Sequence, residues 1–200
     1  MIPLTDTSRK PDAGRRKLFF VAAAAIVLTA AAILYAMGRV PICTCGYVKL
    51  WHGVVFSAEN SQHLSDWYTF SHVIHGFGFY WLTWLIGRRF GWSLGLRFVI
   101  AVFVEASWEV LENTPMVIDR YRATTIALDY YGDSILNSVA DTAAMAFGFF
   151  LAARLPVAVT IALTVLMEVG VGWMIRDNLL LNIIQLVHPM ESILRWQQGG

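Results

Sequence analysis

The stretch LFFVAAAAIVLTAAAILYAM, residues 18–37, contains no charged side chain and no helix breaker over about twenty residues. At 1.5 Å rise per residue, a helix of that length covers the hydrocarbon core of a bilayer, roughly 30 Å thick. A cleavable signal peptide has a shorter apolar region ending in a small-residue cleavage site. The run is therefore expected to be a retained first span. Arg15, Arg16 and Lys17 stand directly before it, after a polar tail holding Pro3 and Pro11. Residues 1–17 read as a cytoplasmic polar tail, and 18–200 as a single transmembrane helical domain.

The rest of the chain agrees. Of its 200 residues, 57% are hydrophobic and 14% charged, against about a quarter charged in soluble domains. Mean hydropathy is +0.56. The formal charge of +1 offers no basic stripe, so no nucleic-acid partner is expected. Further apolar stretches lie at Phe70–Ile86, Trp92–Leu111, Ile135–Leu155 and Val157–Ile175. In lipid each can only be a helix, because its backbone must hydrogen-bond within the segment. The expected fold is all-α, a polytopic membrane helix bundle of about five transmembrane helices.

Orientation follows from the cations near span ends. Arg15–Lys17, Arg88, Arg89 and Arg154 fall on one side when the N-terminus is cytoplasmic. The C-terminus is then periplasmic and the protein a multi-pass component of the bacterial inner membrane. The long loops, about residues 38–69 and 112–134, lie outside, with Trp51, Trp67, Tyr68, Tyr121, Tyr130 and Tyr131 suited to an interfacial aromatic belt. Asn178 to Trp196 mixes apolar pairs with Asn182, Gln185, His188 and Glu191, and reads as an amphipathic helix on the outer interface.

On this topology the ionisable residues form one layer. His72 and His75 lie three apart on one helix face. Glu105, Glu109 and Glu112 form a stripe at i, i+4, i+7 spanning roughly 10 Å. Asp133, Asn137 and Asp141 follow at i, i+4, i+8 over about 12 Å, and Glu168 is at a similar depth on the last span. All are in the outer half, with no comparable group expected in the inner half. A charged side chain facing lipid costs roughly 2.5–3.5 kcal/mol on insertion scales, so these groups must face one another or a water-filled cavity. Clustered carboxyls suit acid–base chemistry or metal capture. They also serve as interhelical hydrogen-bond glue without chemistry. Gly76, Gly78 and the Ala144-to-Gly148 spacing read as close helix packing. Cys43 and Cys45 lie just outside the first span; a bridge between residues two apart is disfavoured, leaving a partner elsewhere or free thiols.

Two resemblances bear on these residues. Cys43-Thr44-Cys45-Gly46, Glu59-Asn60-Ser61-Gln62-His63, Glu112-Asn113-Thr114, Asp129-Tyr130-Tyr131-Gly132-Asp133-Ser134 and Arg176-Asp177-Asn178 resemble uncharacterised protein family 0314. Its members are small multi-pass inner-membrane proteins of proteobacteria, so the likeness implies location and topology and transfers no functional residue. Asn113 … Ile118-Asp119-Arg120 … Asp129 … Asn137-Ser138-Val139-Ala140-Asp141 is similar to the catalytic region of lipoprotein signal peptidase. That likeness implies a catalytic pair Asp129 and Asp141, supported by Asn113, Asp119, Arg120 and Asn137. The match departs from the peptidase in a shorter gap between the aspartates, in Asn137 lying one residue further from Asp141, and in Glu112 replacing a glycine.

The candidate catalytic residues are thus Asp129, Asp141, Glu109 and Glu105; candidate binding residues are Asn113, Asp119, Arg120, Asp133 and Asn137; candidate metal ligands are His72 and His75. One reading is a membrane-embedded hydrolase of a lipid or lipid-linked substrate, lipoprotein included. It works either through an aspartate pair or through a divalent metal ion held by the histidines and carboxylates. The other is a binding, transport or assembly protein with a structural polar core.

Overall fold

The computed structural model describes residues 13–126 and 129–199. Its regular structure consists of eight helices: α1 (Ala13–Ala36), α2 (Thr69–Gly87), α3 (Leu94–Glu112), α4 (Pro115–Thr124), α5 (Ile135–Ala152), α6 (Val157–Ile175), α7 (Leu179–Val187) and α8 (Glu191–Gln197). No strand occurs among the described residues; the loop between α1 and α2 holds one isolated bridge, His52 to Asp66. The tail before residue 13 lies outside the described residues. The expected boundary at residue 17 falls within a helix, since nothing from Arg15 to Lys17 breaks the first turn of α1.

Local chemistry sets the helix ends. Ser93 and Ser134 accept the N–H groups of Leu96 and Asn137, capping α3 and α5. Pro115 opens α4 and Pro156 caps α6, where a missing N–H costs nothing. Asn178 caps α7, and Pro189 separates α7 from α8, so the expected amphipathic segment is two helices instead of one. Among the described residues, three segments are long and apolar enough to cross a membrane: Gly14–Ala36 of α1, α5 and α6. On α3, Arg97, Glu105, Glu109 and Glu112 lower the apolar character, as His72, His75 and neighbouring hydroxyls do on α2.

Helices α2 and α5 make the most extensive contact; α3 packs on both, α1 on α3 and α5, and α6 on α2 alone among the larger contacts. A Cβ on Gly76 would stand 2.2 Å from the Met145 carbonyl oxygen, and one on Gly148 would stand 2.2 Å from that of Val73. The backbones therefore cross in contact. Gly78, expected to pack as well, faces open space, because it is rotated about 200° from Gly76 around the helix. An apolar core of Ala23, Phe98, Ala101, Val102, Met145 and Phe149 fills the half of the bundle toward the end of α2 and the start of α3. Helix α6 buries only Val171 and Gly172, leaving Val169, Leu166 and Trp173 (84% exposed) turned outward. So large an apolar face is the mark of a membrane or partner surface.

An ionisable group also lies at the end of the bundle away from the polar layer, where none was expected. Arg97, in the first turn of α3, is 4% exposed. Its guanidinium lies 4.4 Å from the Tyr80 ring and donates to the Tyr80 carbonyl at 2.7 Å. The cation–π contact and that bond replace the carboxylate partner a buried charge ordinarily needs.

Candidate functional site

The polar layer forms where the N-terminal halves of α2 and α5 meet the C-terminal half of α3. Three-residue spacing on α2 presents both histidines to Glu105 of α3. His72 Nδ1 lies 2.6 Å from Glu105 Oε1, and His75 Nδ1 lies 3.0 Å from Oε2. The close α2–α5 crossing sets the other edge of His72 against α5, with Nε2 3.8 Å from Asp141 Oδ2. Thr69 Oγ1 donates to the second Asp141 oxygen at 3.3 Å. Glu109 sits among these groups, 2% exposed, its Oε1 3.5 Å from His72 Nδ1 and accepting no hydrogen bond. Glu105 takes up the Nδ1 edge of His72 at 2.6 Å, and Glu109 Oε1 is left without a partner.

Toward the loops the layer continues through Asp133. Asn113 donates to Asp133 Oδ2 at 2.8 Å and accepts the Asp133 N–H at 2.7 Å, while Tyr130 donates to Oδ1 at 3.0 Å. Gly132, at φ +101°, lets the chain pass this close; a Cβ there would stand 2.8 Å from Asn113 Oδ1. Burial lifts the Asp133 carboxyl to about 6, against the lowering pull of Asn113 and Tyr130. Tyr121 reaches Glu112 in the same way.

His72, His75, Glu105, Glu112, Asp133 and Asp141 border a cavity of about 410 Å³, which also has an apolar wall from Phe79, Val104, Trp108, Ile183 and Leu186. Helix α7 supplies the last two together with Asn182, while its buried Gln185 donates to the Thr124 carbonyl. Glu168 accepts the first N–H groups of α7, from Leu179 and Leu180. Arg120 donates to the Leu186 carbonyl near its other end. Both placements suit the helix dipole. Asp177 anchors the α6–α7 corner, accepting from Tyr68, Asn182, Gln197 and the Asn178 N–H. Burial raises its carboxyl to about 6.

Of the residues expected from sequence, His72, His75, Glu105, Asp133 and Asp141 meet on this cavity, with Glu109 buried behind them and within reach of His72, Asp141 and Asp133. Asn113 orients Asp133, and Asn137 donates to the His63 carbonyl, tying the outer loop to α5. Asp129 is not brought to Asp141: it is exposed and borders a separate small cavity with Val55, Phe56 and Ser57. The loop before α5 directs Tyr130 and Asp133 inward instead. Asp119 is exposed on α4, outside the cavity lining. Glu168 serves α7 and is not part of the layer. Tyr68, Tyr121 and Tyr130 turn inward, leaving the expected aromatic belt for this site, because the buried carboxyls need donors.

The loop between α1 and α2 adds buried groups that were not among the candidate site residues. Asn60, Ser61, Gln62, His63 and Asp66 are buried, Gln62 donating to the Gly132 carbonyl. Their run of small polar side chains was the available signal. Beside them Glu59 binds Lys49, His63 and Tyr47; the Lys49 ammonium above all holds its carboxyl down at about 2. Cys43 and Cys45 form a disulfide with each other, their Cα atoms 5.1 Å apart, within the range a bridge spans.

Three overlapping sets of side chains have donor atoms close enough to hold a cation: His72/His75/Glu105, His72/Glu109/Asp141 and Glu109/Glu112/Asp133. The fold and site thus define a membrane-associated helical protein with a histidine–carboxylate cavity. The chain belongs to the family described as proteins of unknown function (DUF2585), which it matches over residues 34–199. It is 55% identical to a UPF0314 protein of Rhizobium etli over 92% of this chain and 93% of that one. It is similarly 52% identical to a UPF0314 protein of Agrobacterium fabrum over 98% of each, and 53% identical to one of Novosphingobium aromaticivorans. No solved structure matches the chain.

Proposed function

We propose that this protein is a membrane-embedded, metal-dependent hydrolase of a lipid or lipid-linked substrate, working in the outer half of the bacterial inner membrane. In this reading α1, α2, α3, α5 and α6 are five spans, the N-terminus is cytoplasmic and the C-terminus periplasmic. Helices α2 and α3 have 19 residues each, as α6 has, and pack with the apolar helices in one bundle.

The observation that carries the proposal is the setting of His72. Its Nδ1 lies 2.6 Å from Glu105, and in the neutral tautomer that donates there Nε2 presents a lone pair toward Asp141. A metal-ligating histidine characteristically donates its other N–H to a carboxylate, which fixes the ring. The 3.8 Å between Nε2 and Oδ2 is long for a hydrogen bond. It suits two ligands that each stand about 2.0–2.2 Å from one ion. Glu109, with an unshared oxygen, completes a three-ligand set that leaves a position for water. A divalent ion held there would supply an acidified water, whose proton a neighbouring carboxylate would take. The apolar wall of the cavity suits an acyl chain.

The test is metal analysis of the chain purified in detergent without chelator. The proposal expects a stoichiometric divalent ion, lost in His72→Ala and reduced in Glu105→Gln. A second reading rests on Glu105 being satisfied by both histidines, the pattern of interhelical hydrogen-bond glue in a binding or assembly protein. No bound metal, with His72→Ala less stable but metal content unchanged, establishes that reading and removes the first.

A further inference from the structure

We infer that the cavity takes two divalent cations, bridged by Glu109, and that its substrate is a phosphoester of a lipid. The inference rests on the hydrolase reading above and adds to it a second ion and a substrate class.

The donor sets His72/Glu109/Asp141 and Glu109/Glu112/Asp133 share only Glu109. One ion on each leaves Glu109 between them, and that residue is 2% exposed with an oxygen that accepts no hydrogen bond. Asn60, also bordering the cavity, has a buried side-chain oxygen without a partner. Asn60 on the cavity lining and Glu109 beside it thus offer buried acceptors open to a cation or its water ligands.

Charge points the same way. Five carboxyls, Glu105, Glu109, Glu112, Asp133 and Asp141, gather here, and no lysine or arginine borders the cavity among the described residues. A single divalent ion balances two of them. Two ions balance four, and the two histidines stay free to act as ligand and orienting groups. Pairs of divalent ions about 3.5–4 Å apart, as in phosphatases and nucleases, clamp the attacking and leaving oxygens of an in-line displacement at phosphorus. An anionic phosphoryl group could not enter this carboxyl-lined space without them.

Depth agrees with a phospholipid. Glu112 is the last residue of α3, and Asp133 lies two residues before α5. The second ion therefore sits at the helix ends, where the polar interfacial region of a bilayer begins. The apolar wall, Phe79, Val104 and Ile183 among it, runs from that level along α2, α3 and α7. A phosphate at the ions and an acyl chain along the wall fit one lipid molecule. In the reaction the oxygen of water bonds to phosphorus as the phosphorus–oxygen bond to the lipid alcohol breaks. A cluster carboxylate takes the proton of water, and the leaving oxygen takes one up, giving phosphate ester or phosphate plus alcohol.

The experiment loads the full chain, in detergent, with Mn²⁺. It reads bound ions per chain, the electron paramagnetic resonance spectrum, and headgroup or phosphate release from vesicles of phosphatidylglycerol and phosphatidic acid. Expected are two ions with a spin-coupled spectrum, and one uncoupled ion with lost turnover in Glu112→Gln and Asp133→Asn. Using both variants guards against misfolding of either. One ion per wild-type chain with hydrolysis retained overturns the two-ion inference and leaves the hydrolase reading standing. Two ions with no phosphoester cleaved overturns the substrate class. No bound ion overturns both.

Discussion

Replacing Gly76 by alanine tests how the fold sets the site, and Gly78 is its internal control. Both are on α2 and two residues apart, so an added methyl gains the same intrinsic helix preference at each, roughly 1 kcal/mol. Their surroundings differ. At Gly76 the new Cβ would stand 2.2 Å from the Met145 carbonyl oxygen and 2.5 Å from the Phe149 nitrogen, both backbone atoms that no side-chain rotation can move. Ordinary contact begins at 3.4 Å, so α2 and α5 must part by about 1.2 Å, the difference between 3.4 and 2.2. At Gly78 nothing lies within 4 Å. Overpacking of this kind costs typically about 1–3 kcal/mol. Because the preference cancels between the two variants, Gly76→Ala is expected to be about 1–3 kcal/mol less stable than Gly78→Ala. The assay is reversible unfolding in mixed micelles, followed by tryptophan fluorescence. Metal content provides a second readout, since parting α2 from α5 widens the 3.8 Å gap between His72 and Asp141. If Gly76→Ala matches or exceeds Gly78→Ala in stability, the backbone contact at this crossing is refuted.

Two further outcomes follow from the geometry. Asp141→Asn is expected to abolish metal binding and turnover while Asp129→Asn leaves both within twofold of wild type; equal losses from the two would restore an aspartate pair. Asp177 governs the docking of α7 and α8. Its carboxyl is raised by burial from 3.8 to about 6, so the folded state binds a proton more tightly than the unfolded one. The stabilisation is full below about 4 and is lost as pH rises through about 6, a change on the order of 3 kcal/mol. Amides of α7 should therefore exchange more slowly at pH 4 than at pH 7 after correction for intrinsic rates. Asp177→Asn should remove the difference, and a pH response unchanged in that variant would show that other groups control docking.

Much of this protein was legible along the chain. Apolar runs located α1, α2, α3, α5 and α6 to within a few residues, because a lipid environment makes length and hydropathy nearly sufficient for a helix. The stripes on α3 and α5 were legible too, since helical spacing alone places Glu105, Glu109 and Glu112, or Asp133, Asn137 and Asp141, along one face. What no periodicity contains is which face meets which. Glu168 has the same depth and chemistry as the cluster, yet α6 packs beside α2 at an angle that gives it to α7. Asp129 carries a suggestive motif, but the turn before α5 leaves it in solvent and sends Tyr130 and Asp133 inward. The sequence by itself determined that a layer of ionisable groups lies among helices too apolar for water. Tertiary structure alone decided that His72 joins Glu105 to Asp141, because that junction depends on the glycine-to-backbone approach of α2 and α5, a long-range contact between segments about seventy residues apart.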